Sequence, residues 1–405
     1  MSLHEGEHMK FSWICLLTAG FLAAAAQGDT FTHRTTKQVY HGYATQTVNE
    51  SKTLVHTAQE GPLELNLAEF DIIQDSNGRN NTVAVIAIND QIGFELETDA
   101  FEKALIAESD KGPLFILIEI DSPGGRIDLA RRICAAIGNT RNCRTVAFVR
   151  GGSVGGAYSA AAAVALACNE IYMVPASSIG AATAIASSAD GHSVDIKEAF
   201  GEAIGEKIGS VWRNYLAALA QQNNRPALLA KAMEDRMIEV LEVKRGGKTI
   251  YIEAHEKAPG DQVIRICCKK GELLTLPSSD AVACKIADGT VDSRDDLLKH
   301  LKVGDAAVTV NSDVAAAKDE LEKVINRFNK LNAALDSKYK ELGAKVKTGA
   351  LTKSVAVKDF QALIKNGEYL LKLKKTYPDV PVSEESLEDF LSDIKATHEA
   401  IRAMR

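Results

Sequence analysis

Two stretches of this chain hold residue types in a spacing that suits acyl-transfer chemistry. One is Asp121-Ser122-Pro123-Gly124-Gly125, a turn that closes the apolar run LFILIEI at residues 114–120. Its glycines leave backbone N–H groups unobstructed and adopt angles denied to other residues. Two such amides aimed at one point stabilise the negative oxygen of a tetrahedral intermediate, so Gly124 and Gly125 are candidates for an oxyanion hole. The other is Ser159, which follows the glycine-rich turn RGGSVGG and stands in the first turn of a small-residue helix, AYSAAAAVALAC. A hydroxyl there lies in the positive end of the helix dipole, which favours a developing alkoxide or oxyanion. The same serine also fits a packing role, as a small residue where helices approach closely, and spacing does not separate the two.

The elements that must position these residues alternate. TVAVIAI (82–88), LFILIEI (114–120), TVAFV (145–149) and EIYMV (170–174) are short apolar runs bounded by turn residues. Such runs fit strands buried on both faces. Between them lie helical patterns, among them ELETDAFEKALIAESD (95–110), whose Phe101, Leu105 and Ile106 share one side and whose Glu97, Asp99, Glu102 and Glu108 form a solvated face. Strands that return through helices predict a parallel sheet with right-handed crossovers. Function in such sheets sits where glycine turns leave the strand ends.

At 405 residues the chain has room for two or three domains and a sizeable core. A net charge of −7 and a pI near 5.8 leave no basic footprint, which argues against nucleic acid as a partner. Residues 11–26, FSWICLLTAGFLAAAA, read as the apolar core of an export signal behind Lys10, with Ala24 and Ala26 suited to a signal-peptidase site and cleavage near Gln27. Glu5 and Glu7 suit such a signal poorly, whereas a start at Met9 leaves a cleaner opening. The run falls short of the roughly 20 apolar residues that span a bilayer, so no membrane span is expected in the mature chain, which would be periplasmic or extracellular.

Residues 27–81 are polar and lack sustained periodicity, which predicts a weakly ordered lead-in. His33, His41 and His56 are scattered there without a ligand-like interval, so they are expected on the surface, and neither metal nor cofactor is expected. Cys134, Cys143, Cys168, Cys267, Cys268 and Cys284 would remain after signal removal. Pairs such as Cys134 with Cys143 suit an exported chain, and buried free thiols are the equal alternative. ASSIGAATAIASSADGHSVD (176–195) reads as a surface loop, helices follow from 196, and residues 242–302 read as a small β-rich unit with a turn at Gly246 and Gly247. From about Asp313, Leu321, Phe328, Leu335 and Leu342 recur every seven residues, with Val324 and Leu331 between them. That is the seam of a coiled coil or helical hairpin. The expected division is a core over 82–302 and a helical tail over 303–405, either an association module or a bundle folded on itself.

IEIDSPGG with RIDLARRI, and GGAYSAAAAVALACNEIYMVPASSIGAA after them, resemble the Clp-type serine protease fold and, within it, the membrane-bound NfeD-like serine proteases. KGELLTLPSSDAVACKIADGTVDS (270–293) is similar to the closing segment of that family's domain, so the likeness covers about residues 82–302. It implies an α/β core with the ClpP/crotonase-like spiral, commonly a homo-oligomer, cleaving peptide or protein substrates with a serine nucleophile. Counted back from NEIYMVP (169–175), that nucleophile falls on Ser159. Ala160 and Ala161 follow it where the family has a small residue and glycine, and the Ala160 N–H still stands where it would donate to the oxyanion. The family's lysine base falls on Ala217, in YLAALAQQNNRP (215–226). A histidine of the Clp type would stand soon after the EIYMVP strand, where His192 is the one present. Lys207, with Lys197 and Lys231, is the other cationic candidate, although lysines on amphipathic helices are usually exposed.

A serine without a base is a poor nucleophile. The expectation is a serine endopeptidase acting through Ser159, with Gly124, Gly125 and Ala160 at the oxyanion and Lys207 or His192 as base. Its rival is a catalytically inactive oligomeric scaffold that binds partners through the helical tail. Acyl-CoA chemistry is weaker, because neither a basic patch for the CoA phosphates nor an acid pair stands out.

Overall fold

The computed structural model describes residues 29–49, 51–57, 60–73, 81–140, 143–187, 193–304 and 306–404. The lead-in, expected to be weakly ordered, forms strands over its described residues. It forms an antiparallel sheet of β1 (Asp29–His33), β2 (Val39–Asn49), β3 (Lys52–Thr57), β4 (Gly61–Leu65) and β5 (Phe70–Ile73), in the order β4-β3-β2-β1-β5. Phe31, Val55 and Phe70 are its buried centre, and His56, expected at the surface, is buried as well. Threonine and tyrosine suit a half-exposed pleat, so a small sheet forms from a polar composition.

The core begins with β6 (Thr82–Asn89) and continues through α1 (Glu95–Asp110), β7 (Phe115–Asp121), α2 (Ile127–Asn139), β8 (Arg144–Val149), β9 (Gly156–Tyr158), α3 (Ala160–Ala167) and β10 (Glu170–Met173). Next come β11 (Ser178–Gly180), a hairpin of β12 (Ile185–Ser187) and β13 (Ser193–Asp195), and helices α4 (Ile196–Phe200), α5 (Glu202–Gln222) and α6 (Ala227–Ala232). The rest comprises β14 (Val240–Arg245), β15 (Lys248–Glu253), β16 (Gln262–Cys268), β17 (Thr275–Pro277), α7 (Ser278–Ala283), β18 (Gly289–Thr290), α8 (Arg294–His300) and β19 (Ala307–Val310). Six strands pair in parallel in the order β18-β10-β8-β7-β6-β19, so the sheet reaches past the boundary expected at residue 302.

Alternation along β7 sorts its residues into two layers. Ile116, Ile118 and Ile120 join the cluster under α1, α2 and α3, while Phe115 and Leu117 join Leu297, Leu298 and Leu301 on the opposite face. A second sheet, β17-β11-β9, stands at the strand ends, where β9 pairs in parallel with β11. In the expected surface loop, residues 178–187 and 193–195 are thus largely paired.

The tail consists of α9 (Asp313–Lys347), α10 (Lys353–Thr376) and α11 (Glu384–Ala403). Its heptad positions Leu321, Phe328, Leu335 and Leu342 are buried. Phe328, Leu335 and Leu342 pack with Phe360, Leu363 and Leu370 of α10 and with Ile394 and Ile401 of α11, so the seam closes within the chain. Among the described residues no helix is long and apolar enough to cross a membrane.

Candidate active site

The turn after β7 is clamped from two sides. Ser122 is fully buried; its N–H donates to Gly156 O at 2.9 Å and its O accepts from Tyr158 N–H at 3.0 Å. On the other side, Ile92 N–H donates to Gly124 O at 2.7 Å and Arg126 N–H donates to Ile92 O at 2.8 Å. The second pair of bonds flanks Gly125 and leaves its own N–H turned away from Ile92, as parallel bridging requires.

β9 delivers Ser159 to the start of α3 at φ +54°, ψ −124°, a conformation that residues with a Cβ adopt only under strain. Its N–H donates to Gly180 O at 2.9 Å, which fixes it to β11. A serine in this position ordinarily folds its hydroxyl back onto the amides of the first helical turn. Ser159 makes no such bond, and the residue is half-buried rather than sealed in helix packing.

Glycine is what allows the two turns to meet. A Cβ on Gly124 would lie 2.6 Å from Ser159 Cβ and 2.7 Å from Ala160 N, and one on Gly125 would lie 2.1 Å from Ile92 O. The Gly124 amide donates to Ser122 Oγ at 3.1 Å, so it is already engaged. Of the three amides expected at an oxyanion, those of Gly125 and Ala160 remain, and Ala160 opens α3, where helical N–H groups have no intrahelical acceptor. Gly124 serves instead as the point of close approach.

Of the expected bases, the lysines that are described make no hydrogen bond to this serine. Lys207 is exposed on α5, on the side opposite the buried stripe Gly205, Gly209, Trp212 and Leu216. Lys197 is held by Glu202 and Glu206, each at 3.0 Å. His192 lies outside the described residues. Ala217 is buried on α5, which packs against α3, and its methyl group accepts no proton. Among the described residues no lysine or histidine is hydrogen-bonded to Ser159 Oγ, and no cluster of side chains suits a metal ion.

Other charges support the scaffold. Asp121, buried at the end of β7, accepts from Gly155 N–H at 2.9 Å and holds the glycine turn before β9. Past Ala182 opens a cavity of about 580 Å³ lined by Lys197, Arg213, Glu206 and Glu234. Burial pushes the Glu234 carboxyl up to about 7, against the pull of Arg213 at 3.5 Å.

Arg225, which the sequence marks only as a break between helices, proves to be a fastener. It is buried and donates to Ile286 O at 2.9 Å, Cys168 O at 2.9 Å, Asn169 O at 3.1 Å and Asp288 Oδ2 at 3.2 Å. The carbonyls at the end of α3 thereby gain donors they lack within the helix.

A parallel sheet covered by helices, with a strained serine at a strand-to-helix turn facing a glycine turn, defines an α/β core, followed here by a helical module. Residues 82–263 match the family model for the NfeD1b N-terminal domain. The chain is 27% identical over 244 residues to the membrane protein NfeD1b of Bacillus subtilis (strain 168), an alignment covering 60% of this chain and 46% of that protein. It therefore spans about half the length of the curated relative it matches. Solved structures that resemble it include a mutant of the 1510-N membrane-bound stomatin-specific protease, at 21% identity and a TM-score of 0.42, over 58% of this chain and 98% of that one. Another is a second mutant of that protease in complex with a substrate peptide, at 22% identity and a TM-score of 0.40, over 57% and 91%. A third, from Pyrococcus horikoshii, is the 1510-N membrane protease specific for a stomatin homolog, at 20% identity and a TM-score of 0.36, over 58% and 92%. The likeness to NfeD-like, Clp-type proteins carried by IEIDSPGG and NEIYMVP is borne out for the core.

Proposed function

We propose that this protein is an exported serine peptidase of the Clp/NfeD-like class, with Ser159 as nucleophile and peptide or protein substrates. The observation that carries this reading is a serine held at φ +54° beside a glycine turn with its hydroxyl unused by the helix it opens. A strained residue of this kind costs of order 1–3 kcal/mol, and such strain gathers at functional sites. Ser159 Oγ would attack the scissile carbonyl, the Gly125 and Ala160 amides would receive the oxyanion, and water would release the acyl group.

The second reading, a non-catalytic and oligomeric scaffold that binds partners through its helical tail, is favoured by Ala217 at the family's lysine position. A fluorophosphonate probe on the purified chain separates the two. Stoichiometric labelling that disappears in Ser159→Ala supports the peptidase, and a folded wild type that stays unlabelled supports the scaffold. The pH profile then tests for a base. Labelling that levels off above a pKa reports one, and labelling that climbs steadily with pH reports hydroxide alone.

A further inference from the structure

Outside this site, two thiols face each other across separate elements. Cys267 lies at the end of β16 and Cys284 ends α7, and their sulfurs are 3.9 Å apart. Cys267 occupies a β-bulge: Val240 pairs with Cys268 and Leu241 with Ile266, so Cys267 is the extra residue on its strand. Bulges re-aim side chains, and this one turns Cys267 toward α7. The neighbouring Cys268 points elsewhere, donating to Glu272 O at 3.4 Å. Cys267 is half-buried, while Cys284 is buried behind it.

We propose that Cys267 and Cys284 form a redox pair that closes to a disulfide by exchange with a small organic disulfide. Cys267, the reachable member, loses its proton to water and attacks one sulfur of that disulfide, releasing the first small thiolate. Cys284, as thiolate, then attacks Cys267 Sγ and displaces the second. Two protein thiols become one disulfide, and the small disulfide takes up both electrons as two thiols. The new bond would staple the segment from Cys268 to Ala283. Within it, Leu274 O accepts from Ala181 N–H at 3.0 Å and β17 pairs with β11, the strand whose Gly180 O receives the Ser159 N–H.

The test treats the purified full chain with oxidised glutathione, alkylates the remaining thiols, and maps peptides without reduction. A link between the Cys267 and Cys284 peptides is expected, together with a higher melting temperature that dithiothreitol reverses. The link should persist in Cys268→Ala. In Cys284→Ser, glutathione should stay trapped on Cys267, and in Cys267→Ser the buried Cys284 should take none. Two results would overturn the proposal: both thiols alkylated in folded, glutathione-treated wild type, or a link that survives Cys267→Ser.

Discussion

Gly124 does more at the residue scale than the sequence suggested for it. Its amide is engaged by Ser122 Oγ, and its contribution is the missing side chain, since a Cβ would sit 2.6 Å from Ser159 Cβ. At φ +94° an alanine would also be strained before any clash. Gly124→Ala is therefore expected to lower stability by about 2 kcal/mol, from overpacking and backbone strain together, and to abolish fluorophosphonate labelling at Ser159. Urea unfolding and active-site titration read the two effects separately. Normal labelling in the folded variant would mean that the turns can separate without harm to the site.

At the scale of elements, burial on both faces is what made the sheet legible. LFILIEI, TVAFV and TVAVIAI have no polar face, and the structure buries β7 and β8 throughout. The lead sheet escaped notice because its strands cover only a small centre, leaving Val39 and Ile73 exposed amid threonine and glutamine. In the tail, the seven-residue period of Leu321, Phe328, Leu335 and Leu342 reports a buried face without saying which helix buries it. The strained turn at Ser159 was visible only as composition, since no local pattern encodes a positive φ on serine. Arg225 was silent for a related reason: its four acceptors belong to Cys168, Asn169, Ile286 and Asp288, which the chain brings together only on folding. Removing the guanidinium strands the buried carbonyls of Cys168 and Ile286 and leaves Asp288 without its partner, so Arg225→Met should cost about 3 kcal/mol, with Arg225→Lys recovering part of it. Denaturant midpoints for the three proteins would show whether the fastener matters that much; a shift within error of zero would refute it.

At the scale of the whole molecule, the tail touches the core beside the glycine turn. Phe94, the residue before α1, offers no side-chain cap, and Asp379 supplies one from the connection between α10 and α11, accepting from Glu95 N–H at 2.9 Å and Leu96 N–H at 3.0 Å. Lys318 of α9 pairs with Asp90. Glu97 stands among these groups, and burial raises its carboxyl to about 7; Lys318 opposes the rise, while Asp379, Asp90 and Glu322 add to it. Its folded pKa exceeds the unfolded value, so the folded state binds more protons between the two. Stability from this group is full below the ordinary carboxylate range and falls as pH rises toward 7 and beyond. Deprotonation sets a further negative charge near Asp379 and Asp90 with Lys318 as counter-charge, so the tail should be held less firmly at pH 8 than at pH 6. Limited proteolysis around residues 303–312 measures this directly: relative to Glu97→Gln, the wild type should be cut several-fold faster at pH 8 than at pH 6. Because protease activity itself varies with pH, the comparison is the ratio of wild type to Glu97→Gln at each value. A ratio that stays constant from pH 6 to pH 8 would show that Glu97 does not govern how the tail is held.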